Sequence, residues 1–554
     1  MRVAIAYRKF LNNLGQGLRN LPLFSFLLAL LIVLPLLVVG SAVLTPTREV
    51  WAHLARTLLP EMSRNTLLLI AGVGLGTLIM GVSLAWLVTA YRFPGRNMLA
   101  MLLLLPMAVP TYVQGFVYMA TFDFAGPVQT LLRQYFIDLT WFPEIRSGGG
   151  AILVMTLVLY PYVYLLAKAG FMEQSGALIE AARVMGYSPA ATFFRIVLPL
   201  ARPSIAAGVA LAVMEALADF ATVRFFNFPT LSDGVIRVWH GMMDLQAASE
   251  LAGLLAIVAL VILLLEHALR GRSRYFQAGG KVTGNVPVVL CGWRGWLAAA
   301  ACFLVVAIAF LLPVAQLLSW TWSELPRLPA GTMAVYLMLT RNSLLLSFAA
   351  AITVMITALL LASRIRSSGS RVGFILARLA TIGYAVPGAV IAVGIIVPLS
   401  FFDHTLNNIL EAWRGVSIGL ILTGSIVGLV YAYTVRFMAV GYSSVDSSLE
   451  KITPNITAAA QVLGANPWRL MWRIHLPLVA PGLLAGATLV FVDVMKELPI
   501  TVMLRPFGYD TLAVWVWQMA AESVWAGASL PALAIILAGL VPVIFLTRAT
   551  TRNN

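Results

Sequence analysis

Glu180-Ala181-Ala182-Arg183-Val184-Met185-Gly186, running on to Ile196-Val197-Leu198-Pro199, has a counterpart in the other half of the chain. That counterpart is Ala458-Ala459-Ala460-Gln461-Val462-Leu463-Gly464, running on to Ile474-His475-Leu476-Pro477. The glycines and the prolines share one offset, since 464 − 186 and 477 − 199 both give 278, half of the 554 residues. Glu180–Met185 holds good helix formers, and Gly186 suits a helix C-cap. Ser188-Pro189 then reads as the N-cap and first-turn proline of a second short helix. Gly464 and Asn466-Pro467 repeat the arrangement. Each phrase therefore predicts a helix-turn-helix elbow. Phe194 and Arg195 in one copy, and Trp472 and Arg473 in the other, give its second helix an apolar and a basic face.

The duplication extends outward. Arg64-Asn65 reappears as Arg341-Asn342, and Ala108-Val109-Pro110 as Ala385-Val386-Pro387, both at an offset of 277. Pro203, Gly208, Glu215 and Asp219 meet Pro481, Gly486, Asp493 and Glu497 at 278. The segments between are strongly apolar. With 60% hydrophobic and 11% charged residues, and a mean hydropathy of +0.91, the chain cannot be a soluble globule, which carries about a quarter charged residues. Its runs reach the ~20 residues that span a bilayer as helix.

Twelve spans are expected, near 21–44, 65–90, 98–120, 150–170, 203–223 and 250–269, and again near 295–320, 342–363, 374–399, 416–440, 480–503 and 527–547. The fold class is an all-α membrane protein of two six-helix repeats in parallel orientation, related by an axis along the membrane normal. Residues 1–20 carry Arg2, Arg8, Lys9 and Arg19 and read as a cytoplasmic N-terminus with no cleavable signal. Alternating from there places Arg92/Arg96, Arg270/Arg272/Arg274, Arg364/Arg366/Arg371 and Arg548/Arg552 inside, together with both elbows. Residues 267–294 form a cytoplasmic linker. The segments near 121–149, 223–249 and 400–415 lie outside and have room for short surface helices. The net charge of +15 is spread over short loops, as the cytoplasmic bias of Lys and Arg explains, so no nucleic-acid face is expected. Cys291 and Cys302 imply neither a disulfide framework nor a metal site.

Ionisable residues inside spans are expensive and mark function by default. Glu215/Asp219 and Asp493/Glu497 are each spaced i, i+4, which puts both carboxylates on one face of a continuous helix. Equivalent repeat positions would bring the pairs opposite one another as an oxygen-rich metal site for a hard cation on the translocation path. The alternative is that they pair with Lys496, Arg224 or Arg505. Tyr160, Tyr162, Tyr164, Tyr431 and Tyr433 read chiefly as packing residues.

Glu-Ala-Ala, three residues, Gly, nine residues, Ile-x-Leu-Pro is similar to the cytoplasmic loop signature of binding-protein-dependent ABC importer permeases. The first elbow fits throughout; the second has Ala458 in place of the glutamate. The resemblance spans 61–266 and 337–545, and Met214–Phe220 and Asp493–Pro499 resemble the fused permeases of ferric-iron importers. It implies two permease domains in a bacterial inner membrane. Each elbow would serve as a coupling helix for one of two copies of an ATPase subunit, through Glu180, Ala181, Ala182, Gly186, Pro189 and Arg195 and through Ala458, Ala459, Ala460, Gly464, Pro467 and Arg473. A periplasmic solute-binding protein would deliver iron(III). The chain itself has no G-x-x-x-x-G-K-[ST] phosphate loop, nucleophile elbow or H-E-x-x-H. It is therefore expected to be no enzyme and to bind no cofactor, with ATP and Mg held by the ATPase. Thiamine, a polyamine or, less favoured, a phosphorylated solute are rival cargoes. An ion-coupled secondary transporter is the rival class, and it has no use for two matched docking loops.

Overall fold

The computed structural model describes residues 23–44, 48–136, 141–174, 180–182, 184–242, 244–270, 287–368, 371–450 and 452–552. The expected cytoplasmic N-terminus and most of the linker lie outside them. Helices account for almost all of the described chain; a short parallel pairing of Tyr91–Arg92 with Val288–Val289 is the β structure among the described residues.

Ten helices are long and apolar enough to cross a membrane, and eleven if one bent pair counts as a single span. The apolar helix Leu23–Ala42 is not among them. The missing third span of the first half has a local cause. The third span of each half is broken at the repeated Ala-Val-Pro. A proline disfavours the helical region for the residue before it, so a short 3-10 turn ends each first segment, Leu105–Ala108 and Ile382–Ala385. Val109 (φ −92°, ψ 122°) and Val386 (φ −93°, ψ 132°) are extended. New helices then begin at Thr111 and Gly388. In the first half the two pieces bend by 92°. Such breaks need substitutes for the lost helix bonds. Tyr160 and Tyr164 donate to the carbonyls of Leu103 (2.8 Å) and Ala100 (3.0 Å), which gives these buried phenols a structural role.

A short surface helix does occur at Pro127–Tyr135, whereas the helix Leu231–Met242 is buried over most of its length. None stands apart over 400–415, because the helix from Gly388 continues through Pro398 to Arg414.

The chain divides into two compact units, and each draws on both sequence halves. One contains residues 1–46, 243–253 and 337–511. In it, the helix Leu23–Ala42 packs on the helices Arg371–Thr381 and Gly388–Arg414. Ala29 and Ile32 join Ala358, Leu361, Ala377, Met438, Val445 and Val479 in one core cluster. The other contains 47–242, 254–336 and 512–554. There Tyr118 donates to the carbonyl of Ile308 (2.6 Å), and Phe116 stacks on Trp320 and Trp525 at centroid separations of 6.2 and 6.3 Å. The repeated asparagines do equivalent work in their separate units. Asn65 donates to the Pro229 carbonyl and Asn342 to that of Asp510, both at 3.0 Å.

Candidate coupling elbows and buried carboxylates

The two elbows have matching geometry. Gly186 and Gly464 adopt φ of +81° and +79°, the left-handed region open to glycine. In each copy the residue after the glycine reaches back five positions. Tyr187 N donates to the Ala182 carbonyl (3.1 Å), and Ala465 N to that of Ala460 (3.0 Å). This is the six-to-one bond of a Schellman C-cap. Met185 N bonds the carbonyl of Ala181 and Leu463 N that of Ala459. The next helix is started by a side-chain cap in both copies. Ser188 Oγ accepts from Ala191 N (3.2 Å), and Asn466 Oδ1 from Arg469 N (2.8 Å). Pro189 and Pro467 occupy the first helical position. Removing a cap of this kind costs about 1 kcal/mol. Ser188→Ala and Asn466→Ala are accordingly expected to raise amide exchange several-fold at Ala191 and Arg469 while leaving the membrane core protected. Exchange mass spectrometry checks this, and unchanged protection would show that the caps do not hold the elbows.

A shared feature follows that the spacing alone did not reveal. Phe193–Val197 and Met471–His475 are π-helical turns, 278 positions apart. Pro199 and Pro477 explain them. A proline in a helix lacks the donor for the carbonyl four residues back and clashes with it. A single wide turn relieves both problems; Leu198 N bonds the Phe193 carbonyl, five residues back. A third π turn, Ala307–Leu311, also lies just before a Leu-Pro, Leu312-Pro313. Arg195 and Arg473 therefore sit in widened turns and not on regular amphipathic helices.

The elbows also expose apolar side chains at equivalent places. Val184 and Val462 are 89% and 88% exposed, and Met185, Leu463, Phe194 and Trp472 are exposed too. Ala182 and Ala460 are buried beneath, whereas Glu180, Ala181, Ala458 and Ala459 face outward. Two matched apolar tips on polar inserts have the character of docking surfaces.

The intramembrane carboxylates are arranged differently from the i, i+4 expectation. The helix carrying Glu215 ends at Ala218, and Asp219 (φ −88°, ψ 104°) caps a new six-residue helix, Phe220–Phe225. It accepts from Thr222 N (2.9 Å) and from the Thr222 hydroxyl, and the Thr111 side chain also hydrogen-bonds it. In the second half the helix ends at Met495, and buried Glu497 accepts from Ile500 N (3.1 Å) and Thr501 N (3.3 Å) of the helix Pro499–Leu504. Asp493 pairs with Lys496 at 2.9 Å. Among the described residues no three His, Cys, Asp or Glu side chains gather as a metal-binding group. Within its own unit each pair therefore consists of one capping carboxylate, Asp219 or Glu497, and one half-buried one, Glu215 or Asp493. The Arg224 and Arg505 expected as partners pair elsewhere. Arg224 meets buried Asp233 (2.9 Å), which Arg237 also contacts, and Arg505 meets Asp510.

A duplicated helical membrane protein with a matched elbow in each half has the makings of a transport permease, and sequence comparison agrees. The family described as binding-protein-dependent transport system inner membrane component matches residues 77–270 and again 354–553. The chain belongs to that family and carries two copies of its domain. It is an ABC importer permease, a multi-pass inner-membrane component and not itself an enzyme. It is 26% identical over 536 residues to the Fe(3+)-transport system permease protein FbpB 2 of Haemophilus influenzae, covering 96% of this chain and 99% of that protein. It is also 30% identical over 212 residues to the sulfate transport system permease protein CysT of Salmonella typhimurium, covering 37% of this chain and 73% of that one. A probable molybdenum ABC transporter permease of Haloferax volcanii is 33% identical over 190 residues, 34% of this chain and 67% of its own.

Proposed function

We propose that the chain is the fused permease of an ATP-driven importer for iron(III), and that both elbows receive ATPase subunits. The observation that carries the cargo assignment is the end-to-end match to a relative named for Fe(3+) transport, whereas the relatives named for sulfate and molybdenum match only 37% and 34% of this chain. The matched exposed tips support two docking points, one for each of two ATPase copies, which hold the ATP and Mg. A solute-binding protein delivers the cargo on the opposite face. Twelve crossings follow if the broken third span and the helix Leu23–Ala42 each traverse the membrane. Glu215 and Asp493, the half-buried pair, are the proposed carboxylate contacts for the passing cation, while Asp219 and Glu497 hold the helix breaks.

An oxyanion is the second reading. Lys496 beside Asp493 and Arg436 near Glu497 reduce the local negative charge that a cation would seek. The assembled permease, ATPase and binding protein, reconstituted in vesicles, separates the two. Radiolabelled iron(III) is expected to accumulate only with ATP, to withstand an uncoupler and to ignore excess sulfate and molybdate. Accumulation of labelled sulfate or molybdate with no iron uptake would overturn the cargo, and uptake driven by an ion gradient without ATP would overturn the class.

A further inference from the structure

The second half holds a cavity of about 650 Å³ that the transport cycle as described does not use. It lies among the end of the helix Thr332–Ser368, the helix Arg371–Thr381 and the end of the helix Ile426–Glu450, all in one compact unit. Its position is close to an elbow in the chain, since the elbow helix Pro454–Val462 starts four residues after Glu450. This volume is in the range of sites that take small molecules. Its wall combines Arg366 and Arg378 with Asp446 and Glu450, and adds Tyr442 and Phe374.

Three observations narrow the occupant. First, the lining has two cations and two anions, and Arg366 acts electrostatically on Asp446 although no salt bridge joins an arginine to a carboxylate here among the described residues. Arg366 instead donates to the Ile452 carbonyl (3.2 Å), and the Arg378 guanidinium lies over the Phe374 ring, 4.8 Å from its centroid. Second, the apolar members continue outward. Phe374 and its neighbour Ile375 are 57% and 48% exposed, on a helix bordering the membrane-spanning bundle. Third, the mixture of opposite charges is peculiar to this half. At the repeat offsets of 277 and 278, Arg366 and Arg378 correspond to Thr89 and Met101, and Asp446 and Glu450 to Lys168 and Met172, while Tyr442 keeps its tyrosine as Tyr164. There Tyr164 donates to the Ala100 carbonyl and Arg96 to that of Val88. A fold that duplicates its framework but sets carboxylates against arginines in one half, where the other has Lys168 near Arg96, is not explained by packing.

We propose that this cavity binds the headgroup of a zwitterionic phospholipid from the elbow-side leaflet. The phosphate lies between Arg366 and Arg378, whose planar donor sets suit its oxygens. The ammonium of an ethanolamine headgroup faces Asp446 and Glu450, and the acyl chains leave along Phe374 and Ile375. An anionic lipid without the amine brings nothing to offset the repulsion between Asp446 and Glu450, and a free phosphate gains nothing from the apolar exit. The seated lipid would brace the segment that leads into the second elbow.

The test uses the full-length permease with its ATPase, in vesicles containing a photoactivatable phosphatidylethanolamine. Crosslinks are expected on the peptides covering 362–381 and 442–450, displaced by unlabelled phosphatidylethanolamine far better than by phosphatidylglycerol, phosphoethanolamine or inorganic phosphate. Crosslinks that avoid both peptides would overturn the site. Equal displacement by phosphatidylglycerol would overturn the zwitterion, and displacement by the free phosphates would overturn the lipid. Arg366→Gln with Arg378→Gln is expected to lower the yield at least tenfold, and Thr89→Gln with Met101→Gln, at the equivalent places of the first half, to leave it unchanged. Because the wild-type pattern alone decides the proposal, a variant that fails to fold does not spare it.

Discussion

Gly186→Pro and Gly464→Pro each reduce coupled uptake to less than about a tenth of wild type, and to similar degrees, because both remove a backbone geometry that proline cannot adopt. The native φ values are +81° and +79°, while proline is fixed near −65°. The elbow helix then cannot end where it does, and the six-to-one bond from Tyr187 or Ala465 is lost. Steric crowding is not the cause, since a Cβ at either glycine would meet nothing within 4 Å. Alanine therefore separates the effects. Gly186→Ala and Gly464→Ala carry only the left-handed strain of about 1–2 kcal/mol and should retain partial uptake. The measurement is ATP-dependent uptake in vesicles alongside co-purification of the ATPase, which should fall with uptake for the proline variants. Fluorescence-detected size exclusion confirms that the permease still inserts. Full uptake by Gly464→Pro would mean that the second elbow does not transmit force.

The matching backbones also locate the asymmetry between the elbows. Glu180 stands where the second copy has Ala458, and both positions are exposed. Because the turns themselves are equivalent, unequal ATPase contacts would come from side chains, and this is the pair that differs in charge among the described positions exposed in both elbows. Glu180→Ala thus makes the first elbow resemble the second, and its effect on uptake should be mild beside either proline variant.

The elbows were largely legible in the sequence because each of their devices is local. A glycine that ends a helix, a cap and a first-turn proline act within a few residues, so pattern and geometry coincide. The π turns were missed although the signal was present. Leu198-Pro199, Leu476-Pro477 and Leu312-Pro313 all follow such a turn, and a proline inside a helix demands some local adjustment. The broken third spans were also written in the Ala-Val-Pro repeat, but apolar content alone runs straight through it. The carboxylates misled for a different reason. Placing Glu215 and Asp219 on one face requires an unbroken helix, and nothing in the Ala216–Ala218 run announces the stop. The break is held by Asp219 itself, which caps the next helix through Thr222, and by Thr111, distant in sequence. The composition of the compact units was not legible at all, because apolar periodicity shows which helices are buried and not which helix of the other half buries them.

Arg436→Val is expected to be among the most damaging single substitutions in the second half, and Gly388→Thr to repair it. Arg436 and Glu497 are 7% and 5% exposed, and they interact electrostatically. The guanidinium also reaches the Val386 carbonyl at the break of the third span (3.3 Å). Gly388 makes this possible. A Cβ there would lie 2.8 Å from Glu497 Oε1 and 3.0 Å from Arg436 Nη1, too close for either. The first half solves the same problem without an arginine. The equivalents of Gly388, Arg436 and Glu497, at 388 − 277, 436 − 278 and 497 − 278, are Thr111, Val158 and Asp219. There the Thr111 side chain hydrogen-bonds the carboxylate, and Val158 packs in the core. The three positions act as one set: a small residue admits the guanidinium, or a threonine replaces it. Removing one partner of a buried charge pair costs about 3–5 kcal/mol. Arg436→Val should therefore lower the folded yield more than tenfold and depress the melting temperature. Gly388→Thr alone should also destabilise, by crowding the arginine. The double variant removes the guanidinium and supplies the hydroxyl, so it should melt above either single variant. Melting of the purified proteins in one detergent measures all three. A double variant no better than the worse single one would show that the two halves do not hold these carboxylates by interchangeable means.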